Sequence, residues 1–214
     1  MRLHDYPASG NCYKVRLLLA QLGLDCERVH VDIFDGGTLT DEFEALNPTR
    51  TTPVLEVDGG VALVESNAIL TYLAEGTELL PNDPIERAQV MRWLFYEQAD
   101  IVPSIASLRV RLAAGVLTPD HPGAQSRLRA GAACLGVLEQ HLRDQPFLAG
   151  ERYTIADIAV YAYVHVAGDA GLDLAGYPAV RAWIERVEAT PGHVNDLQPI
   201  PPDTRFDAGR SIYG

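Results

Sequence analysis

The sequence predicts an α/β domain followed by an all-α domain, and three observations predict it. Before about residue 80, short β-like runs alternate with runs of helical period. Residues 76–85, with Gly76, Pro81 and Pro84, read as a linker. Every periodic segment after it is helical. Apolar residues make up 47% of the 214, enough to bury a core in one large domain or two small ones, so a disordered chain is excluded.

Taken in order, residues 3–6 form a brief strand. Cys12, Val15, Leu18, Leu19 and Leu22 fall at helical spacing, and Gly23 stops that helix. Val29, Val31 and Ile33 alternate with polar residues and predict a second strand. Thr40 followed by Asp41 and Glu42 is an N-cap with acids in the first turn. Residues 53–57 and 61–64 flank Asp58-Gly59-Gly60, a hairpin signal. Ser66 is expected to cap the helix that carries Ile69, Tyr72 and Leu73. The order β-α-β-α-β-β-α is that of a thioredoxin-like domain, placed at residues 1–78, although strand order is not legible.

The all-α domain is placed at residues 85–214. A long helical segment over 84–114 contains Pro103, which is expected to kink it. A second helix spans 125–142, with Leu128, Leu135 and Leu142 on one stripe. A third starts at Thr154. A fourth starts at Pro178 and buries Val180, Trp183, Ile184 and Val187. Pro191-Gly192 ends it, and an irregular tail runs through Pro199, Pro201 and Pro202.

Charge excludes several function classes. With 17 basic and 29 acidic residues the net charge is −12, which opposes a nucleic-acid grip or docking on an anionic membrane. No apolar run approaches a spanning helix, and residues 1–5 lack a signal peptide's apolar core, so a cytoplasmic protein is expected. Three dispersed cysteines predict no disulfide framework, and six histidines show no metal spacing, so no metal is expected.

Four short stretches carry possible chemistry. Ser9-Gly10-Asn11-Cys12 lies where the first strand meets the first helix, the position of a C-x-x-C pair in thioredoxin-like domains. Serine is no redox thiol, but it can donate a hydroxyl to a thiolate that a ligand brings. Lowering a thiol's pKa by two units requires ~2.7 kcal/mol. One hydrogen bond to a charged group supplies ~1.5–3 kcal/mol and a helix N-terminus ~0.3–1. Ser9 alternatively only caps the helix, and Asn11 either caps or presents its amide to the same sulfur. Cys12, at a helix N-terminus, is a candidate reactive monothiol, whereas Cys26 and Cys134 are expected to be buried. At Thr52-Pro53, a cis bond would free the Thr52 backbone to pair with an extended ligand. Glu65-Ser66 offers a carboxylate for an amine and a helix N-terminus for a carboxylate, the α-amino-acid end of a ligand, or else a plain capped helix. Thr154 to Asp157 is a capping box and is structural.

Together these stretches resemble the cytosolic glutathione S-transferase family, in particular its bacterial serine/asparagine-type members. The resemblance rests on residues 6–15, Leu46-Asn47-Pro48, Thr52-Pro53-Val54-Leu55, residues 65–70, Leu148-Ala149-Gly150 and residues 154–157, all in family order. It implies that glutathione is the cosubstrate. Ser9 would stabilise its thiolate, with Asn11 as alternative or helper. Thr52, before a cis Pro53, would pair with the cysteinyl backbone, and Glu65 and Ser66 would hold the γ-glutamyl end. It also implies a homodimer in which Glu97, Gln98 or Asp100 reaches the partner's site, and an electrophile pocket between the domains walled by Tyr96, Pro103 and Arg109. The loop 49–53 departs from the family pattern. Thr51 replaces the residue that normally reaches the glycyl carboxylate, and Arg50 is a possible substitute.

The leading expectation is a glutathione transferase acting on small apolar electrophiles. Glutathione-dependent disulfide or peroxide reduction is the alternative within the enzyme class, and a non-catalytic binding or regulatory module is the alternative outside it. Residues 1–80 hold 5 basic and 13 acidic residues, so the acidic excess lies in the domain expected to bind an anionic tripeptide. Recognition must then rest on local donors: the Ser66 helix N-terminus, the Thr52 backbone and Arg50.

Overall fold

The computed structural model describes residues 1–201; Pro202 and the rest of the expected tail lie outside the described residues. The N-terminal half is a four-stranded sheet in the order β2-β1-β3-β4, built from β1 (Arg2–Asp5), β2 (Glu27–His30), β3 (Val54–Val57) and β4 (Val61–Val64). β1 pairs parallel with β2 and antiparallel with β3, and β4 returns antiparallel on β3. The helices α1 (Gly10–Leu22), α2 (Asp41–Leu46) and α3 (Ser66–Ala74) complete a thioredoxin-like domain. Gly23 ends α1 in the left-handed region at φ 63°, and the Thr40 hydroxyl accepts from Phe43 N to cap α2, both as the sequence predicts.

Three local expectations are corrected. β2 runs from Glu27 to His30 rather than through Ile33. The chain leaves the sheet because Asp32 Oδ1 accepts from Phe34 N and Asp35 N, at 2.9 and 3.2 Å, which turns the backbone. Ser66 is the first residue of α3, not its cap. Glu65 occupies the cap position at φ 67° and frees the Ser66 hydroxyl for other partners. Cys26 is half-buried rather than fully enclosed.

The C-terminal half is helical: α4 (Pro84–Tyr96), α5 (Ser107–Ala113), α6 (Pro122–Leu142), α7 (Ile155–Val164) and α8 (Pro178–Glu188). Between α4 and α5, residues Glu97–Ala106 widen into a π-helical segment that contains Pro103. Pro103 has no N–H to give, and the Ser104 hydroxyl donates to Asp100 O at 2.5 Å, so the regular α-helical ladder is interrupted where the sequence places the proline. Thr154 caps α7 and Asp157 returns the contact in a capping box. Asp157 is fully buried and also accepts from Leu148 N and Trp183 Nε1, each at 2.9 Å. One hydrophobic core spans both halves, from Leu3 and Tyr13 to Trp93, Tyr161 and Trp183. Gly10 is required at the seam, where a Cβ would lie 2.4 Å from the Tyr163 ring on α7. Among the described residues, no helix is long and apolar enough to cross a membrane.

Buried histidines give the fold a pH dependence. Burial holds His141, His165 and His193 below the ordinary histidine range. A folded pKa below the unfolded one gives stability that is complete above about pH 6.5 and is lost as pH falls through the folded values. Asp157 acts in the opposite direction, because burial pushes its carboxyl up to about 6 and its cost is relieved as pH falls through that value. The two contributions oppose each other as pH falls below about 6.5.

Candidate active site

The first turn of α1 packs beside the cis Thr52–Pro53 peptide and the start of α3. Ser9 caps α1 as one of its two sequence readings holds: its Oγ accepts from Cys12 N at 3.3 Å. That bond uses an oxygen lone pair, so the hydroxyl proton remains available to an external acceptor. α1 has no acidic residue in its first turn, so the positive end of the helix is unopposed there.

Asn11 is oriented from below. Its Oδ1 accepts from Lys14 Nζ at 2.9 Å and from Ser66 Oγ at 3.2 Å. With the carbonyl oxygen engaged, the amide N–H groups are the part of Asn11 left for a ligand. Ser9 and Asn11 therefore offer two donors within one helical turn, and the Ser66 contact brings the start of α3 to the same place. The N–H groups of Ser66, Asn67 and Ala68 have no intrahelical acceptor, which suits a carboxylate. Glu65 stands exposed beside them.

Lys14 is the residue sequence reasoning missed. It lies on α1, is fully buried, and its ammonium donates to Glu97 Oε1 at 2.7 Å, Asn11 Oδ1 at 2.9 Å and Ser66 Oγ at 3.2 Å. Asn67 Oδ1 lies at 3.4 Å, and the Tyr163 ring covers the ammonium with its centroid at 5.3 Å. Burial pulls Lys14 below the usual lysine range, and Glu97 opposes that shift. Glu97 is itself fully buried, and its Oε2 accepts from Asn67 Nδ2 and Gln98 Nε2, each at 2.9 Å. The pair is neutral overall and turns its cationic end toward Ser66 and Asn11. No sequence signal separates Lys14 from a solvated helical lysine, since its partners lie 52 and 83 residues away.

Cys12 is corrected from a candidate monothiol to a sealed side chain. It is 0% exposed, its Sγ accepts from Tyr6 N at 3.4 Å, and burial pushes its thiol up to about 11, with Asp5 adding to the rise. Its side chain also meets Thr52, which ties the cis-proline loop to α1.

The remaining candidates have the following surroundings. Arg50, at φ 53°, pairs with Glu44 on α2. Thr51 is committed to its own loop: Asn47 Nδ2 donates to its carbonyl at 2.8 Å and to its hydroxyl at 3.1 Å. Tyr96 donates to Cys134 O at 3.4 Å, and Pro103 is exposed. Arg109 is 3% exposed and is held by Asp169 at 2.9 Å. Glu97 is turned inward to Lys14 rather than outward, Gln98 donates to it, and Asp100 is exposed. Among the described residues, no group of His, Cys, Asp or Glu could hold a metal.

A thioredoxin-like domain sets a hydroxyl, an amide and two helix N-termini beside a cis-proline and is backed by a helical domain, and with serine at position 9 it holds no C-x-x-C dithiol. Comparison with known proteins places it further. The glutathione S-transferase N-terminal domain model matches residues 3–79 and the C-terminal domain model matches residues 122–186. The chain belongs to the glutathione S-transferase family. It is 36% identical over 189 residues to the disulfide-bond oxidoreductase YfcG of Escherichia coli, covering 85% of this chain and 87% of that one. A Pseudomonas fluorescens glutathione S-transferase structure superposes with a TM-score of 0.89 at 44% identity, over 92% of this chain and 98% of the other. A Burkholderia graminis glutathione transferase with two glutathione molecules bound per subunit superposes at 0.77 with 27% identity, over 89% and 84%.

Proposed function

We propose that this chain activates the thiol of glutathione for addition to a small apolar electrophile, in the manner of a serine/asparagine-type transferase. One observation carries the reading: Ser9 Oγ and Asn11 Oδ1 both have their acceptor atoms engaged, so each presents a donor beside the helix N-terminus where a thiolate would sit. In this reading Ser9 takes the sulfur, with Asn11 as second donor. The Thr52 backbone pairs with the cysteinyl unit. Glu65 takes the γ-glutamyl amine, and Ser66 with the N-terminus of α3 takes the γ-glutamyl carboxylate. Lys14 supplies the local positive charge. Residues 1–78 carry these contacts, and the electrophile is met on the side of the helical domain. A cytoplasmic setting, where glutathione is abundant and thiols stay reduced, suits this chemistry.

Titration with reduced and oxidised glutathione by calorimetry tests this reading. Saturable binding of reduced glutathione is expected. No detectable heat with either form would overturn it in favour of a non-catalytic module. The likeness to YfcG favours a second reading, glutathione-dependent disulfide reduction, in which RSSR and two glutathione thiols give two RSH and one glutathione disulfide. Comparable affinity for the oxidised form would select it.

We also propose a homodimer. Phe95 is 68% exposed on the α4 stripe that includes Ala88 and Arg92, Tyr72 on α3 is 51% exposed, and Val61 on β4 is 53% exposed. Side chains of this size left in water are suited to a partner surface. Phe95→Glu is expected to convert a dimer to a monomer in light scattering; an unchanged mass would place the interface elsewhere.

A further inference from the structure

The two carbonyls that precede Ser9 are held from behind by arginines that contact no proposed ligand group. Pro7 O accepts from Arg16 Nη2 at 3.1 Å, and Ala8 O accepts from Arg109 Nη1 at 3.2 Å. Both arginines are buried, at 5% and 3% exposure. Each also holds the segment 194–198, which crosses the loop from the far end of the described chain. Arg16 Nε donates to both Asp196 oxygens at 2.8 and 3.0 Å, and Arg109 Nη2 donates to Gln198 O at 3.4 Å. The segment reaches the loop directly as well, because Gln198 N donates to Pro7 O at 3.1 Å and Ile200 packs against Tyr6, Ala8 and Cys12.

The charges close into a ring. Asp5 accepts from Arg16 Nη1 at 2.6 Å and from Arg28 Nη2 at 2.5 Å, and Asp196 receives the same two arginines from the other side, Arg28 Nη1 at 3.2 Å. Two acids and two arginines leave no net charge, so the ring fixes geometry without adding a field at the thiol. The loop has little hold of its own: Pro7 has no N–H, and the turn's internal backbone bond is Ser9 N to Tyr6 O at 3.0 Å.

We propose that Arg16 and Arg109 are positioning residues for the Ser9 hydroxyl, and that residues 194–198 are a strap through which the C-terminal segment sets the reactivity of the thiol site. This rests on Ser9 acting as the thiolate donor. Displacing a catalytic group by about 1 Å costs on the order of a hundredfold in rate, so a strap that is only loosened is expected to cost about tenfold.

Asp196→Ala tests it, because Asp196 is part-exposed and its removal leaves the Arg16–Asp5 pair in place. Arg109→Lys is the second variant; it keeps the charge beside Asp169 and loses the fork that spans Ala8 O and Gln198 O. Both are expected to raise the pKa of bound glutathione, read from thiolate absorbance, and to lower kcat about tenfold with KM for glutathione within about twofold. Removing the Asp196 charge alone would lower that pKa, so a rise reports displacement of Ser9 and not a change of field. In a Ser9→Ala background, Asp196→Ala is expected to give no further rise in the bound-thiol pKa. A purely structural strap would lower the melting temperature and leave that pKa unmoved, which overturns the proposal. If Ser9→Ala itself leaves the pKa unmoved, the assignment of Ser9 fails first and the positioning role fails with it.

Discussion

Lys14→Met is expected to destabilise the fold by about 3–5 kcal/mol and to raise the KM for glutathione. The stability loss follows from what remains. Glu97 Oε1 loses its ion pair at 2.7 Å while the residue stays fully enclosed, and a buried charge without a partner is among the costliest defects in a protein interior. For a chain of this length the melting temperature is expected to fall by about 10 °C. A change of less than about 2 °C would show that water reaches Glu97 and that the pair is not sealed. The KM effect has a different origin. Asn11 Oδ1 and Ser66 Oγ both accept from the lysine ammonium, so its loss releases the two side chains proposed to hold glutathione. The double variant Lys14→Met, Glu97→Leu separates the two effects. Removing both charges is expected to recover at least about 2 kcal/mol, while the KM stays high because the positive charge beneath Ser66 has not returned. Full recovery of KM in the double variant would mean that Lys14 acts only on folding.

Ser9→Ala is expected to lower kcat/KM for conjugation by about 10- to 100-fold near pH 7, the cost of one hydrogen bond to a charged sulfur. The loss has a pH signature. A thiol whose bound pKa rises toward about 8.5 becomes fully ionised in alkali without help, so variant and parent should converge there. A constant ratio across pH would point to misplacement of glutathione rather than loss of a donor. Because the same oxygen caps α1, the alanine variant also loses about 1 kcal/mol of stability, and that has to be separated from the chemistry. Ser9→Asp does so. A carboxylate caps at least as well but cannot donate, and it repels a thiolate. Native-like melting with lower activity than the alanine variant is therefore expected. If Asn11→Ala produces the pH signature and Ser9→Ala does not, the amide is the principal donor.

The parts of the fold legible in the sequence were those whose cause is local. Gly23, Thr40, Asp58-Gly59-Gly60 and the Thr154–Asp157 box each set their own backbone within a few residues, and the structure repeats them. β2 slipped where two local signals competed: Val29, Val31 and Ile33 alternate as a strand would, yet Asp32 turns the chain first. At the site, Ser9, Asn11 and Ser66 were visible because caps and helix starts have a recognisable chemistry. The framework beneath them was not. Lys14 meets Glu97 across 83 residues, and Arg16 meets Asp196 across 180, and periodicity carries no information at that range. Arg109 is the clearest case. On its helix it resembles any pocket-lining cation, and only the folded chain shows it gripping the carbonyl before Ser9.

The enclosure of Cys12 bears on how the protein experiences its surroundings. With no accessible sulfur of its own at the site, the chain has no thiol there to be oxidised and reset between turnovers. Every electron pair exchanged in a disulfide reduction would belong to molecules that arrive and leave, and the polypeptide would be identical before and after each cycle. Such a catalyst has no redox memory. Its rate is expected to survive treatment with a thiol-alkylating reagent that is removed before assay, whereas an enzyme working through its own cysteine would be silenced for good.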